Sequence, residues 1–403
     1  MGYLNNKKQV NGITILFMVT YMVSYITRIN YATIISEIES STRIPRDLLS
    51  IALTSSFITY GVGQIISGFL GDYFSPKKLV SVGLVLSSFV NLCVPLYFNP
   101  LVMTVLWSVN GFAQSLMWPP LVKLMTALLS DEDYNNASVK VSWGSSLGTI
   151  LVYLVSPLLI SVFGWESVFY ISTGIGMVML CFWNKYCINV DVQRKKTDNK
   201  SGFKRISSVF TPVMIAIMIA IILQGMLRDG VTTWMPTYIS ETYNLSSVIA
   251  ILTGVILPVF AILSFKLASV LYTQKVRNPV MCACIFFALG TVSSICMFCI
   301  KGHSAVLSVL FAAILTGCMH GVNLVLICMV PMYFKKQGNV SMVSGIINSC
   351  TYIGSALSTY GIAFLSENKG WDFTLFIWIL ICFIGTLVCI LNSKPWKKKY
   401  QIV

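Results

Sequence analysis

Residues 12–28, GITILFMVTYMVSYITR, and residues 212–228, PVMIAIMIAIILQGMLR, follow one plan: sixteen uncharged residues and then an arginine. A continuous apolar run of about 20 residues is the length that crosses a bilayer as a helix. The short alternating segments of a membrane barrel are absent from both runs. Each is therefore expected to be a transmembrane helix with its arginine, Arg28 or Arg228, somewhat past the middle. The recurrence of the pattern in the second half of the chain points to two like halves.

Working outward from these two runs, the expected spans are 12–35, 48–71, 79–98, 101–128, 137–162, 166–188, 212–238, 246–272, 279–300, 304–333, 339–365 and 371–392. Composition agrees, with 56% hydrophobic and only 10% charged residues, against roughly 25% charged in a soluble domain. The first run holds Arg28 and lacks a small-residue cleavage site, so it reads as a span and not as a removed signal. The expected fold is an all-α membrane protein of twelve transmembrane helices in two pseudo-symmetric six-helix bundles. The polar stretch Asn189 to Ser208 separates them, giving bundles at 1–188 and 209–403 and a cytoplasmic linker at 189–208. Other features repeat as well. Gly164-Trp165 opens the sixth span and Gly370-Trp371 the twelfth, and each follows a segment rich in Gly and Ser, Ser142 to Ser156 and Ser344 to Ser358. Small residues let membrane helices approach closely. Two repeats with polar groups at matching positions describe a secondary transporter that binds near the midplane.

The formal net charge of +14 is not a nucleic-acid signature, because lysine and arginine fall in short segments between apolar runs. One side collects Lys7, Lys8, Lys77, Lys78, Lys140, the run Lys185 to Arg205, Lys275, Arg277, Lys335, Lys336 and Lys394 to Lys399. The other collects only Arg43, Arg46, Lys301 and Lys369. By the positive-inside rule both termini are cytoplasmic, and a plasma (inner) membrane location is expected. Most of the twelve cysteines lie inside apolar runs, where free cysteine behaves as a small hydrophobe. With two histidines and no nucleophile–base constellation, no catalytic residue, metal or cofactor is expected. The expected partners are membrane lipid and a small anionic substrate, met by a monomer.

An arginine at helix centre costs about 2.5–3.5 kcal/mol on an insertion scale, and such residues mark substrate pathways. The guanidinium keeps its charge at any accessible pH and offers a planar fork that fits phosphate or carboxylate. Asp229 is the one acid well inside a span, and it adjoins Arg228. Helical neighbours point about 100° apart, so the two are not expected to pair. Tyr21, Tyr25 and Arg28 are spaced i, i+4, i+7 and share a face, and Tyr60 and Gln64 are again i, i+4. Their hydroxyls and amide are suitable neutral partners for an anion. His320 lies in the tenth span near Asn323 and is expected to touch substrate or hold a hydrogen bond. Lys123 and Lys266 read as snorkelling residues near helix ends.

The run Gly111-Phe-Ala-Gln-Ser-Leu-Met-Trp-Pro-Pro120, Arg28 within Tyr-Ile-Thr-Arg-Ile-Asn-Tyr-Ala, and Leu227-Arg-Asp-Gly followed by Trp234-Met-Pro-Thr-Tyr238 resemble the organophosphate:phosphate antiporter family. That family includes glycerol-3-phosphate and hexose-phosphate transporters. The loop Gly68-Phe-Leu-Gly-Asp-Tyr-Phe-Ser-Pro-Lys-Lys78 is similar to the motif shared across the wider major facilitator superfamily. The resemblance implies that Arg28 and Arg228 bind a phosphoryl group, with Tyr21, Tyr25, Tyr60, Trp118 and Tyr352 around it. It implies exchange of an organic phosphate for inorganic phosphate by alternating access. Asp72, Lys77 and Lys78 would form a charge cluster that locks one conformation. Gln64 stands where glycerol-phosphate carriers have lysine, Leu147 where some have histidine and His320 where they have tyrosine, so substrate identity does not transfer. A proton- or sodium-coupled carboxylate carrier and a non-transporting membrane sensor of organic phosphates stay open as alternatives. The topology makes a direct prediction. A cysteine placed at position 198, in the linker, should stay unlabelled by an impermeant thiol reagent added outside intact cells; labelling would invert the assignment.

Overall fold

A computed structural model describes residue 4 and residues 6–190, 210–245 and 255–400 of the chain. The linker expected at 189–208 lies outside the described residues except for 189 and 190, as does the start of the eighth expected span up to 254. The helices are α1 (Lys7–Thr33), α2 (Ile35–Thr42), α3 (Arg46–Tyr73), α4 (Pro76–Cys93), α5 (Pro100–Ser115), α6 (Trp118–Leu128), α7 (Asp131–Phe163) and α8 (Glu166–Tyr186). They continue with α9 (Pro212–Tyr243), α10 (Ile256–Val270), α11 (Pro279–Ile300), α12 (Ala305–Asn323) and α13 (Val340–Tyr400). No strand occurs among the described residues.

Ten helical segments among the described residues are long and apolar enough to cross a membrane. The two remaining expected spans are helical but differ in character. Helix α3 carries Ser, Thr, Gly and Gln along its 28 residues, which dilutes its hydropathy. The span expected at 101–128 is broken into α5 and α6, because Pro119 and Pro120 have no N–H to continue the ladder. At the break the bonds tighten to i−3, Leu116 N–H donating to Ala113 and Met117 N–H to Gln114. Elsewhere proline starts helices: Asn99 and Asn278 each cap a helix that opens on Pro100 or Pro279.

Contacts group the chain into two compact units, Met1–Lys195 with Phe334–Ser349 and Lys196–Tyr333 with Cys350–Val403. The beginning of α13 therefore packs within the first unit. In that unit α1 lies against α7, α3 against α5 and α4 against α8. Tyr31, Trp107 and Phe169 fill one end of its core, with Tyr31 stacked on Trp107 at 4.9 Å. In the second unit α12 packs against α9, α10 and α11.

The helix that carries each arginine is seated by a close approach, and the two approaches correspond. In the first unit a Cβ on Gly148 would meet the Met22 carbonyl oxygen at 2.6 Å and Tyr25 Cβ at 3.0 Å. In the second, a Cβ on Gly354 would press into the Ile222 carbonyl and meet Met226 N at 2.9 Å. Met22 lies six residues ahead of Arg28, and Ile222 six ahead of Arg228. The Gly/Ser-rich segments thus do what their composition suggests, letting one backbone rest on another. The Gly-Trp pairs also correspond, because Gly164 (φ 81°) and Gly370 (φ 78°) both break the helix in the left-handed region that favours glycine.

Gly148→Ala and Gly354→Ala should each destabilise the protein by about 1–3 kcal/mol through overpacking. Thermal unfolding in detergent checks this against Gly174→Ala, since a Cβ at Gly174 meets nothing within 4 Å.

Candidate functional site

The first cluster grows out of α1. Helical spacing puts Tyr21, Tyr25 and Arg28 on one face, and single side chains from α3 and α6 bring other aromatics to it. The Arg28 guanidinium lies 4.1 Å from the Tyr60 ring centroid and 5.5 Å from that of Tyr25. Tyr21 meets Tyr25 edge-on at 5.2 Å and Trp118 at 5.0 Å. A cation over such faces gains about 0.5–2 kcal/mol, more as water is excluded. The Trp118 indole N–H is buried and has no hydrogen-bond partner in the structure, which leaves a donor beside the cluster.

A polar network that the sequence reading did not single out holds this part of α1. The carbonyl of Thr27, immediately before Arg28, accepts from the amides of Asn91 and Asn110, each at 3.0 Å. The Thr27 hydroxyl accepts from Gln114 at 2.9 Å, and Asn30 donates to Asn91 at 2.6 Å and to Ser172 at 3.1 Å. All these side chains are buried. The available signal was three amides, Asn91, Asn110 and Gln114, inside otherwise apolar runs.

Further along α3, Gln64 is fully buried and serves the backbone. Pro119 has no N–H to give the Ser115 carbonyl, and the Gln64 amide donates there instead at 3.4 Å. The Gln64 carbonyl accepts from Asn348 at 3.0 Å. Two turns on, the Asp72 carboxylate accepts from the backbone N–H groups of Ser341 (3.2 Å) and Met342 (3.0 Å) at the start of α13. A carboxylate at a helix N-terminus is favoured by its unpaired N–H groups and dipole. Lys123 pairs with Asp72 at 3.0 Å, so this lysine, expected to snorkel, has a carboxylate partner instead. Lys77 turns elsewhere, donating to the carbonyls of Asn184 (2.8 Å) and Cys187 (2.7 Å) at the end of α8, and Lys78 is exposed. The structure brings Asp72 together with Lys123, not with Lys77 and Lys78.

The second cluster forms on α9. Arg228 and Asp229, expected not to pair, are joined by two bonds: Nε to Oδ1 at 2.6 Å and Nη2 to Oδ2 at 2.8 Å. The expectation treated side chains as rigid spokes, whereas the long arginine chain bends round the helix to its neighbour. The Ser355 hydroxyl, on α13, donates to Asp229 Oδ2 and helps hold it in place. Tyr352 is buried one turn earlier on the same helix. His320 packs edge-on against Phe265 at 5.3 Å and lies within electrostatic reach of Arg228 and Asp229. Gln224, one turn before Arg228, donates to the Met319 carbonyl at 3.1 Å and leaves its own buried carbonyl without a partner. Its i, i+4 spacing to Arg228 could have marked it in the sequence. No cluster of three or more metal-ligating side chains occurs among the described residues.

Comparison with known proteins follows from this architecture. A hexose phosphate transport protein of Chlamydia trachomatis, itself designated probable, is 23% identical over 159 residues, which is 40% of this chain and 35% of that protein. The chain thus spans about a third of its length. Sodium-dependent phosphate transport protein 3 of Mus musculus is 22% identical over 384 residues, covering 85% of this chain and 79% of the mouse protein. Among solved structures, the proton:xylose symporter XylE superposes with a TM-score of 0.77 at 13% identity, covering 97% of this chain and all of that one. That likeness is one of fold. The sequence profile of the Major Facilitator Superfamily matches residues 17–295, more than half of the chain, and the chain, a multi-pass membrane protein, belongs to that superfamily.

Proposed function

We propose that this protein is a secondary transporter that exchanges an organic phosphate, of the sugar-phosphate or glycerol-phosphate kind, for inorganic phosphate by alternating access. One observation carries the reading: each half of the chain sets an arginine past the middle of an apolar helix, and Arg28 is wrapped by Tyr25 and Tyr60 with Tyr21 and Trp118 behind them. A fixed guanidinium among rings and hydroxyls suits a phosphoryl group, which asks for charge and several donors. The two relatives named above are both described as carriers of phosphate or of a phosphate ester, which supports the same class of anion. In this reading Arg28 and Arg228 take the phosphoryl group, Tyr21, Tyr25, Tyr60 and Trp118 line it, and His320 and Tyr352 shape what else fits, while Gln64, engaged by the Ser115 carbonyl and Asn348, braces the wall from behind. Asp72 acts in gating with Lys123, and Lys77 and Lys78 orient the cytoplasmic side. Both termini face the cytoplasm, and the protein works as a monomer in the plasma (inner) membrane.

A second reading is favoured by Asp229, a carboxylate at one of the two arginines. In it, transport of the anion is coupled to a proton or sodium gradient, the chemistry for which intramembrane acids are used.

Purified protein in liposomes separates these. Exchange predicts uptake of glycerol 3-phosphate or glucose 6-phosphate that needs phosphate in the lumen and survives an ionophore. Accumulation into phosphate-free vesicles that the ionophore abolishes would instead establish ion coupling. Binding without any uptake would make the protein a sensor. Arg28→Lys should weaken phosphate binding roughly tenfold or more while the protein stays folded, because lysine lacks the two-pronged fork and a hydrogen bond to a charged group is lost. Unchanged affinity in that variant would remove Arg28 from the site.

A further inference from the structure

We propose that Asp229 is a resident counter-anion: its carboxylate occupies Arg228 while the carrier is empty, and a phosphoryl group must take that place from it. The inference rests on the reading of Arg228 as an anion ligand given above.

The geometry carries the argument. Both Asp229 oxygens engage one edge of the guanidinium, Nε at 2.6 Å and Nη2 at 2.8 Å. Two parallel N–H···O bonds on one edge are the arrangement that phosphate itself adopts on arginine. The Arg228 side chain is 13% exposed and that of Asp229 32%, so the carboxylate is the more accessible member of the pair. Being neighbours on α9, the two can pair in any position of the helix. Ser355 supplies what displacement requires. Its hydroxyl donates to Asp229 Oδ2, so a carboxylate that loses the arginine keeps a hydrogen bond and is not orphaned, an outcome that would cost about 1–3 kcal/mol or more.

Two consequences follow. First, Arg228 is not a bare positive charge before the anion arrives, because its own neighbour on α9 neutralises it. Second, apparent affinity is lowered by the fraction of time the arginine is occupied by its own carboxylate. Removing the competitor should therefore tighten binding, whereas a merely structural role for Asp229 predicts a loss.

The test is inorganic phosphate binding to the purified full chain, measured by calorimetry for the parent, Asp229→Asn and Arg28→Lys. Asp229→Asn keeps the shape and removes the charge, and it should lower the phosphate Kd by about tenfold. Should that variant fail to fold, Asp229→Ser and Asp229→Ala decide in its place, with the same gain expected. If the parent binds phosphate and Arg28→Lys weakens it, but folded Asp229 variants bind no more tightly than the parent, the counter-anion is overturned while the anion site stands. If neither the parent nor the Asp229 variants bind phosphate, both readings fall.

Discussion

A guanidinium inside an apolar helix has no water to solvate it, so the protein must supply the solvation, and much of this structure answers that demand. It does so twice and differently. Around Arg28 the answer includes ring faces at 4.1 and 5.5 Å, backed by Tyr21 and Trp118. Around Arg228 it is ionic, a carboxylate from the next residue steadied by a hydroxyl from α13. Neither is the cheapest way to fill a membrane helix, for which leucine would serve.

The same demand explains why the backbone around each arginine is so firmly seated. The Thr27 carbonyl receives two amide donors, and glycines on α7 and α13 let the neighbouring helix rest directly on α1 and α9 six residues ahead of each arginine. A cation held by geometry and not by water loses its partners if its helix rotates or slides. Buried amide networks and glycine seams both resist such movement, the first through hydrogen bonds that have no substitute in hydrocarbon, the second through dense contact.

Much of this was legible in the sequence. Apolar runs with an arginine set inside two of them pointed to the membrane fold, and helical spacing alone put Tyr21 and Tyr25 with Arg28. The Gly/Ser segments announced close packing because composition decides how near two backbones can come. What the sequence withheld was whatever depends on a second helix or on a side chain's reach. That Tyr60 covers Arg28, that Lys123 belongs to Asp72 and that Ser355 meets Asp229 are tertiary facts with no local signature. The Arg228–Asp229 pair was adjacent in the sequence and still misread, because directions on a helical wheel describe Cβ vectors and not the tips of long chains. Gln64 is legible only as a departure from lysine. Its service to a carbonyl orphaned by Pro119 depends on the break between α5 and α6.

That break has a mechanical side. Where Pro119 and Pro120 interrupt the ladder, α6 is no longer bound to tilt with α5 and becomes a stiff rod of 11 residues with a soft joint at one end. Trp118, part of the aromatic wall near Arg28, sits at the joint, and Lys123, the partner of Asp72, sits more than a turn along the same rod. Five residues of helix separate them by about 7.5 Å, too short a stretch to bend. A tilt of this rod moves both side chains together. In α6 the aromatic wall beside Arg28 and the anchor of the Asp72 contact share one short lever, half its length apart.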